Sequence, residues 1–167
     1  MTTVNFQKPA SEKMMISETD KAWFAGFFDG EGCILINYTR CRDKYFLELA
    51  VGNTCLSSLK KCLTIWNCGH IDERTSLSRV HKKWNTYFVW RVSHIKARDI
   101  LRAILPYLIV KRQEAEVALQ FALRHNIHKP KSMPTKLYNQ DAKRFKEALE
   151  ALKQKKKINI ALQGKLV

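Results

Sequence analysis

The sequence is short of glycine and proline and has no long apolar run. Its 167 residues include 6 Gly and 4 Pro, which excludes a collagenous or low-complexity composition. No segment is apolar over the roughly 18 residues that a membrane helix needs, and residues 1–13 contain no apolar signal-peptide core. With 46% hydrophobic residues we expect one domain over 17–167, after an N-terminal extension at 1–16.

Cysteine pairs at redox or finger spacing are also missing. The cysteines are Cys33, Cys41, Cys55, Cys62 and Cys68. An odd number without a CxxC pair favours a reducing intracellular compartment, either the cytoplasm or an organelle such as a chloroplast or mitochondrion. A zinc site at Cys62, Cys68 and His70 is disfavoured because no second ligand pair lies at finger spacing.

Negative charge is scarce as well. The chain has 15 acidic against 30 basic residues, a formal charge of +15. Such a balance is typical of proteins that bind a polyanion. An anionic membrane surface, or a basic surface without a specific partner, would have the same composition, so charge alone does not decide between them.

What is present begins with a well-marked helix. Ser17 and Asp20 form an N-cap with a capping-box-like acid, ahead of an apolar segment at 22–28 that stops at Gly30. Period-2 alternation then predicts strands at 33–42, 45–53, 70–77 and 86–93. Apolar residues at helical spacing follow each pair of strands, at 56–66 and 95–105.

This αββαββα order predicts an α+β fold in which helices cover one face of a four-stranded antiparallel sheet. Further helices are expected at 113–123 and 142–152, with a proline-containing linker at 128–135 between them and a basic tail at 153–157. We expect the other face of the sheet to be free for a ligand.

Alternation separates the two faces of the sheet. The predicted core side carries Ile34, Ile36, Tyr38, Leu47, Leu49, Val51, Ile71, Phe88, Trp90 and Val92. The free side carries Asn37, Thr39, Glu48, His70, Asp72, Arg74, Tyr87 and Arg91. Such mixed donors and acceptors suit readout of the DNA major groove, although a merely solvated face would look similar. The loop cations Arg40, Arg42, Lys82 and Lys83 suit phosphate contacts.

Residues 23–32 read WFAGFFDGEG. This string resembles the LAGLIDADG signature of homing endonucleases, with Phe24 at the usual Leu and Glu31 at the second acid. The likeness extends over 20–123 through the order of elements. It implies the αββαββα homing-endonuclease fold, in which the sheet forms a saddle on double-stranded DNA.

Small residues in the motif point to a second subunit. Ala22, Gly26 and Gly30 recur every four residues, which clears one helix face for close approach of another helix. Because the chain has one motif, the resemblance implies a homodimer whose motif helices meet, with Ala25 and Asp29 also at the interface.

The resemblance implies catalytic roles for three residues. Glu31, with the Gly30 carbonyl, would bind Mg²⁺, and Mn²⁺ would substitute. Asn53 would orient the attacking water, and Lys111 would stabilise charge at the scissile phosphate. The expected reaction is cleavage of a long, nearly palindromic site with short 3′ overhangs, as in intron homing.

Other readings stay open. Asp29 and Glu31 could simply cap a helix, and Lys111 could be an ordinary solvated lysine. Related proteins on this fold include RNA intron maturases, and a nuclease-dead DNA-binding regulator is a further alternative. The retained Glu31, Asn53 and Lys111 favour cleavage. No role is predicted for His125 or His128.

Overall fold

The computed structural model describes residues 16–74, 86–125 and 135–163. Its helices and strands are α1 Glu18–Glu31, β1 Gly32–Thr39, β2 Lys44–Asn53, α2 Leu56–Trp66, β3 His70–Arg74, β4 Tyr87–Ser93, α3 His94–Ile104, α4 Arg112–His125 and α5 Thr135–Gln163. Short 3₁₀ turns lie at Arg40–Arg42 and Leu105–Tyr107. The predicted order of elements is confirmed. Lys82, Lys83, His128, the extension at 1–15 and the strand end at 75–77 lie outside the described residues.

Helix α1 begins where the sequence pattern predicts. The Ser17 hydroxyl oxygen accepts a hydrogen bond from the Asp20 backbone N–H at 3.1 Å and satisfies one of the unpaired donors of the first turn. Phe24 and Phe28 are completely buried on the core side of the helix. The last turn ends at Glu31, and β1 follows directly.

The four strands form one antiparallel sheet in the order β1-β2-β4-β3. Most of the predicted core side is buried, namely Ile34, Ile36, Leu47, Leu49, Val51, Trp90 and Val92, while Ile71 and Phe88 are partly buried against it. Tyr38 is an exception, because its side chain is 43% exposed. It lies one residue from the end of β1, where its hydroxyl group donates to Asp43 at 2.6 Å instead of entering the core.

Helix α5 differs most from expectation. The predicted helix at 142–152 and the basic tail at 153–157 belong to one helix of 29 residues. Lysine, alanine, leucine and glutamine are strong helix formers, and the ion pairs Lys143–Glu147 and Lys146–Glu150 add support at i,i+4. The helix is long but polar, and none of the described helices combines the length and apolar composition needed to cross a membrane.

His125, for which the sequence pattern predicts no role, joins α4 to α5. Its ring is 2% exposed, and Nε2 lies 2.9 Å from the Asp141 carboxylate on α5. The Tyr138 hydroxyl group donates to the His125 carbonyl oxygen at 2.8 Å. His125 therefore belongs to the packing between the two helices.

Candidate functional site

The carboxylate of Asp29, in the last turn of α1, holds a segment that lies about 80 residues further along the chain. Oδ2 accepts from the backbone N–H groups of Ile109 and Val110 at 2.7 and 3.0 Å, and Oδ1 accepts from that of Lys111 at 2.8 Å. These three donors precede helix α4. Asp29 therefore orients the 109–111 segment of its own chain, a partner that the motif alone does not identify.

The same contacts bring Lys111 to the end of α1. Its ammonium group donates to the Asp29 carbonyl oxygen, at the end of a helix where the dipole is negative. Partial burial lowers the pKa of Lys111 from its ordinary value, and the negative charges of Glu114 and Asp29 oppose that change. Glu31 follows Asp29 by two residues, so the structure brings this predicted catalytic pair to one end of α1.

Glu31 and the preceding Gly30 are both exposed. Carboxylate and carbonyl oxygens are ligands that Mg²⁺ prefers, so the donor types fit a hard divalent cation. Among residues 16–74, 86–125 and 135–163, no three His, Cys, Asp or Glu side chains are grouped closely enough to hold a metal ion. That result also applies to the disfavoured zinc set of Cys62, Cys68 and His70.

Asn53, the third predicted catalytic residue, lies at the end of β2. The register pairs Val51 of β2 with Gly32, the first residue of β1. Asn53 is two residues further along β2, so it lies beside the junction between α1 and β1. Its Oδ1 accepts from the Cys55 backbone N–H at 2.8 Å. This side-chain oxygen therefore helps to start α2, and the predicted role in orienting water stays a prediction.

Cys55 is a residue that the sequence patterns did not single out. It is the exposed N-cap of α2, and hydrogen bonds from Ser57 and Ser58 lower its pKa from 9.0 to about 7. Hydroxyl and amide donors stabilise the thiolate, which is the nucleophilic form. The signal that could have found it is a cysteine at a helix start followed two and three residues later by serine.

Charged residues form a network on the free face of the sheet. The Arg91 guanidinium group lies 2.6 Å from Glu48 and 3.5 Å from Asp72, and Asp72 also lies 3.5 Å from His70. Arg74 adds a longer contact of 3.9 Å to Asp72. The structure thus brings these predicted residues together across β2, β4 and β3.

The rest of the free face follows the strand alternation. Register and alternation place Asn37, Thr39 and Tyr87 on the same side of the sheet as Arg91. Arg40 and Arg42 are exposed in the turn after β1. A cleft of about 310 Å³ beside the charged network is lined by Glu48, Gly69, His70, Arg91, Val92, Ser93 and Lys96. Lys96 adds a cation that the sequence patterns did not assign to this face.

One face of α1 is free of contacts with the rest of the described chain. Ala22, Gly26 and Gly30 are exposed, and a Cβ atom added at either glycine would meet nothing within 4 Å. Ala25 is instead completely buried in the core of its own chain. Its assignment to a dimer interface is therefore wrong, because Ala25 lies three residues before the buried Phe28 and shares the core side of α1.

Two apolar side chains are exposed on the segment that Asp29 holds. Ile109 is 86% exposed and Val110 is 55% exposed. Their backbone N–H groups are fixed by the carboxylate of α1, so both residues lie beside the end of that helix.

Comparison with solved structures identifies the fold. The chain is similar to the homing endonuclease I-CvuI in complex with its target, with 22% identity over 81% of this chain and 85% of that chain and a TM-score of 0.64. The meganuclease I-SmaMI, bound to uncleaveable DNA, is 14% identical over 84% of this chain and 48% of that chain, with a TM-score of 0.58. The archaeal intron-encoded homing endonuclease I-Vdi141I, complexed with DNA, is 18% identical over 64% of this chain and 68% of that chain, with a TM-score of 0.51.

Comparison of the sequence with protein-family models and with curated proteins gives no match. The structural likeness nevertheless covers most of the chain. The protein has the LAGLIDADG homing-endonuclease fold, of the α+β class that its sequence predicts.

Proposed function

We propose that this chain is one subunit of a homodimeric, site-specific DNA endonuclease that cuts both strands of a long, nearly palindromic duplex. The observation that carries the proposal is the junction at the end of α1, where Asp29 holds Lys111 beside the helical turn that carries Glu31. An acid and a cation held together beside a polar sheet face suit phosphodiester hydrolysis. The fold supports this function, since I-CvuI and I-Vdi141I are homing endonucleases solved with DNA.

A second copy of the chain fits the exposed face of α1. Small residues at 22, 26 and 30 allow two helix backbones to approach, and Ile109 and Val110 offer exposed apolar surface beside the end of the same helix. The chain covers 85% of the I-CvuI chain but only 48% of the I-SmaMI chain, as expected if one chain supplies half of a two-motif assembly. Two-fold symmetry along α1 would bring two Glu31 carboxylates together.

The two Glu31 carboxylates, the Gly30 carbonyl groups and DNA phosphate oxygens would then hold Mg²⁺, with Mn²⁺ able to substitute. When bound, the ion supplies an activated water and stabilises the leaving 3′ oxygen. Lys111 would place its positive charge beside the scissile phosphate and stabilise the charge that develops there. The Nδ2 group of Asn53 would orient the attacking water. Cuts near the two-fold axis would leave short 3′ overhangs.

The free sheet face would read the DNA sequence. Arg91 is held between Glu48 and Asp72, which fixes its guanidinium group before DNA arrives. A fixed guanidinium group can donate two hydrogen bonds to a guanine edge, and nearby acids can accept from cytosine. Arg40 and Arg42 would contact DNA phosphates and so set affinity and register. The net charge of +15 would add to the attraction between the protein and DNA.

Selection on a DNA library tests the proposal. The purified protein would be incubated with randomised long duplexes and Mg²⁺, alongside Glu31→Gln and the control Glu116→Gln, which changes an exposed acid on α4. We expect site-specific breaks with short 3′ overhangs from the wild type and the control, and none from Glu31→Gln. Binding without breaks in Mg²⁺ or Mn²⁺ would contradict an endonuclease and favour a DNA-binding regulator or an RNA maturase.

A further inference from the structure

Two lysines near the end of α5 reach the segments that flank the candidate site. The Lys156 ammonium group donates to the Val110 carbonyl oxygen and to Glu114 Oε1, the latter at 2.7 Å. The Lys153 ammonium group donates to the Ile34 carbonyl oxygen at 2.5 Å. Helix α5 therefore contacts both the segment that carries Lys111 and the strand that follows Glu31.

The ion pair between Lys156 and Glu114 has one buried member, the carboxylate of Glu114. Glu114 is 3% exposed in the first turn of α4, three residues after Lys111. An unpaired carboxylate in such a position would be costly, so its burial depends on a matched cation. Lys156 forms an ion pair with it and is itself 30% exposed. The ammonium group of Lys156 therefore contacts the buried carboxylate of Glu114, although part of the lysine side chain is exposed to solvent.

We propose that Glu114 and Lys156 are positioning residues for Lys111, and this inference rests on the proposed function. Asp29 binds the N–H groups of the 109–111 segment, and Lys156 binds the carbonyl group of Val110 within it. Glu114 fixes Lys156 for that contact. The segment is thereby held through both its donors and an acceptor, and the Lys111 ammonium group stays at the end of α1.

The opposite charges of Glu114 and Lys156 suit a pair that positions the neighbouring Lys111. Glu114 and Lys156 are neutral as a unit, so they fix the segment without adding net charge beside the Lys111 ammonium group. A salt bridge of this kind also has defined geometry, because both ends make hydrogen bonds. A lone lysine on α5 would instead repel Lys111 and leave its position less well determined.

Hydrogen exchange of the full-length protein without DNA tests the positioning directly. Lys156→Met should speed exchange of the Val110 and Lys111 amides about tenfold or more, since their local opening loses one restraint. The control Lys155→Met, at an exposed neighbouring position on α5, should leave both rates unchanged, and Lys156→Arg should largely restore protection. Unchanged exchange at both amides in Lys156→Met would overturn the proposal.

A double-mutant cycle on cleavage separates positioning from general stability. On a site selected from the library, Lys156→Met should lower kcat about tenfold with little change in KM, but should cause no further loss in a Lys111→Met background. Equal losses in both backgrounds would refute action through Lys111. If the wild type cuts no duplex, the proposed function fails by itself, and the exchange experiment still decides whether the pair positions the segment.

Discussion

Replacing Asp29 by alanine should destabilise the fold because one carboxylate accepts three backbone hydrogen bonds at 2.7 to 3.0 Å. Hydrogen bonds to a charged group contribute about 1.5–3 kcal/mol each when buried, and partial exposure and non-additivity reduce their sum. We expect a loss of about 3 kcal/mol in the free energy of unfolding. For a chain of this size that corresponds to a fall in Tm of roughly 6–12 °C.

Asp29→Asn provides a graded comparison, because the amide keeps one oxygen that can accept from the same segment. We expect it to lose about 2 kcal/mol, since the amide NH2 group cannot accept from the backbone N–H that the replaced oxygen bound, and the remaining hydrogen bonds are no longer charge-assisted. Urea unfolding followed by circular dichroism would measure both variants. Asp99→Ala is the matched control, since that exposed carboxylate pairs only with the adjacent Arg98 among the described residues. Its stability should change by less than about 0.5 kcal/mol. Equal and small losses in all three variants would refute the anchoring role of Asp29.

Three further outcomes follow from the described geometry. Gly26→Leu should shift the protein to a monomer in sedimentation experiments without unfolding it, because an added Cβ there meets no described residue within 4 Å. Gln120→Leu, on the exposed side of α4, should leave the oligomeric state unchanged. Iodoacetamide should label Cys55 half-maximally near pH 7, whereas burial raises the pKa of Cys62 to about 12 and should protect it. Burial lowers the pKa of His125 below its ordinary 6.5, so unfolded chains take up a proton there as the pH falls and folded ones resist it. Stability should therefore decrease below about pH 6.5, and less steeply in His125→Gln, as thermal melts would show.

The sequence by itself determined the local features of this protein. Capping at Ser17, the apolar run of α1 and strict alternation along the strands are short-range patterns, and each maps directly onto helical or extended geometry. They therefore predicted the order of elements, the antiparallel hairpins and the charged face around Arg91. Lys111 came from the resemblance to a family rather than from any local pattern.

Only the tertiary structure decided which distant groups meet. The contacts from Asp29 to the 109–111 segment and from Lys156 to Glu114 join residues about 80 and 42 positions apart. No periodicity in the chain records such pairs, because they depend on how α1, α4 and α5 pack. Packing also buries Ala25 and brings Lys153 and Lys156 of α5 into contact with the segments that flank the candidate site. The acidic side chains at the end of α1 belong to the motif, but the position of Lys111 beside them is set by long-range hydrogen bonds.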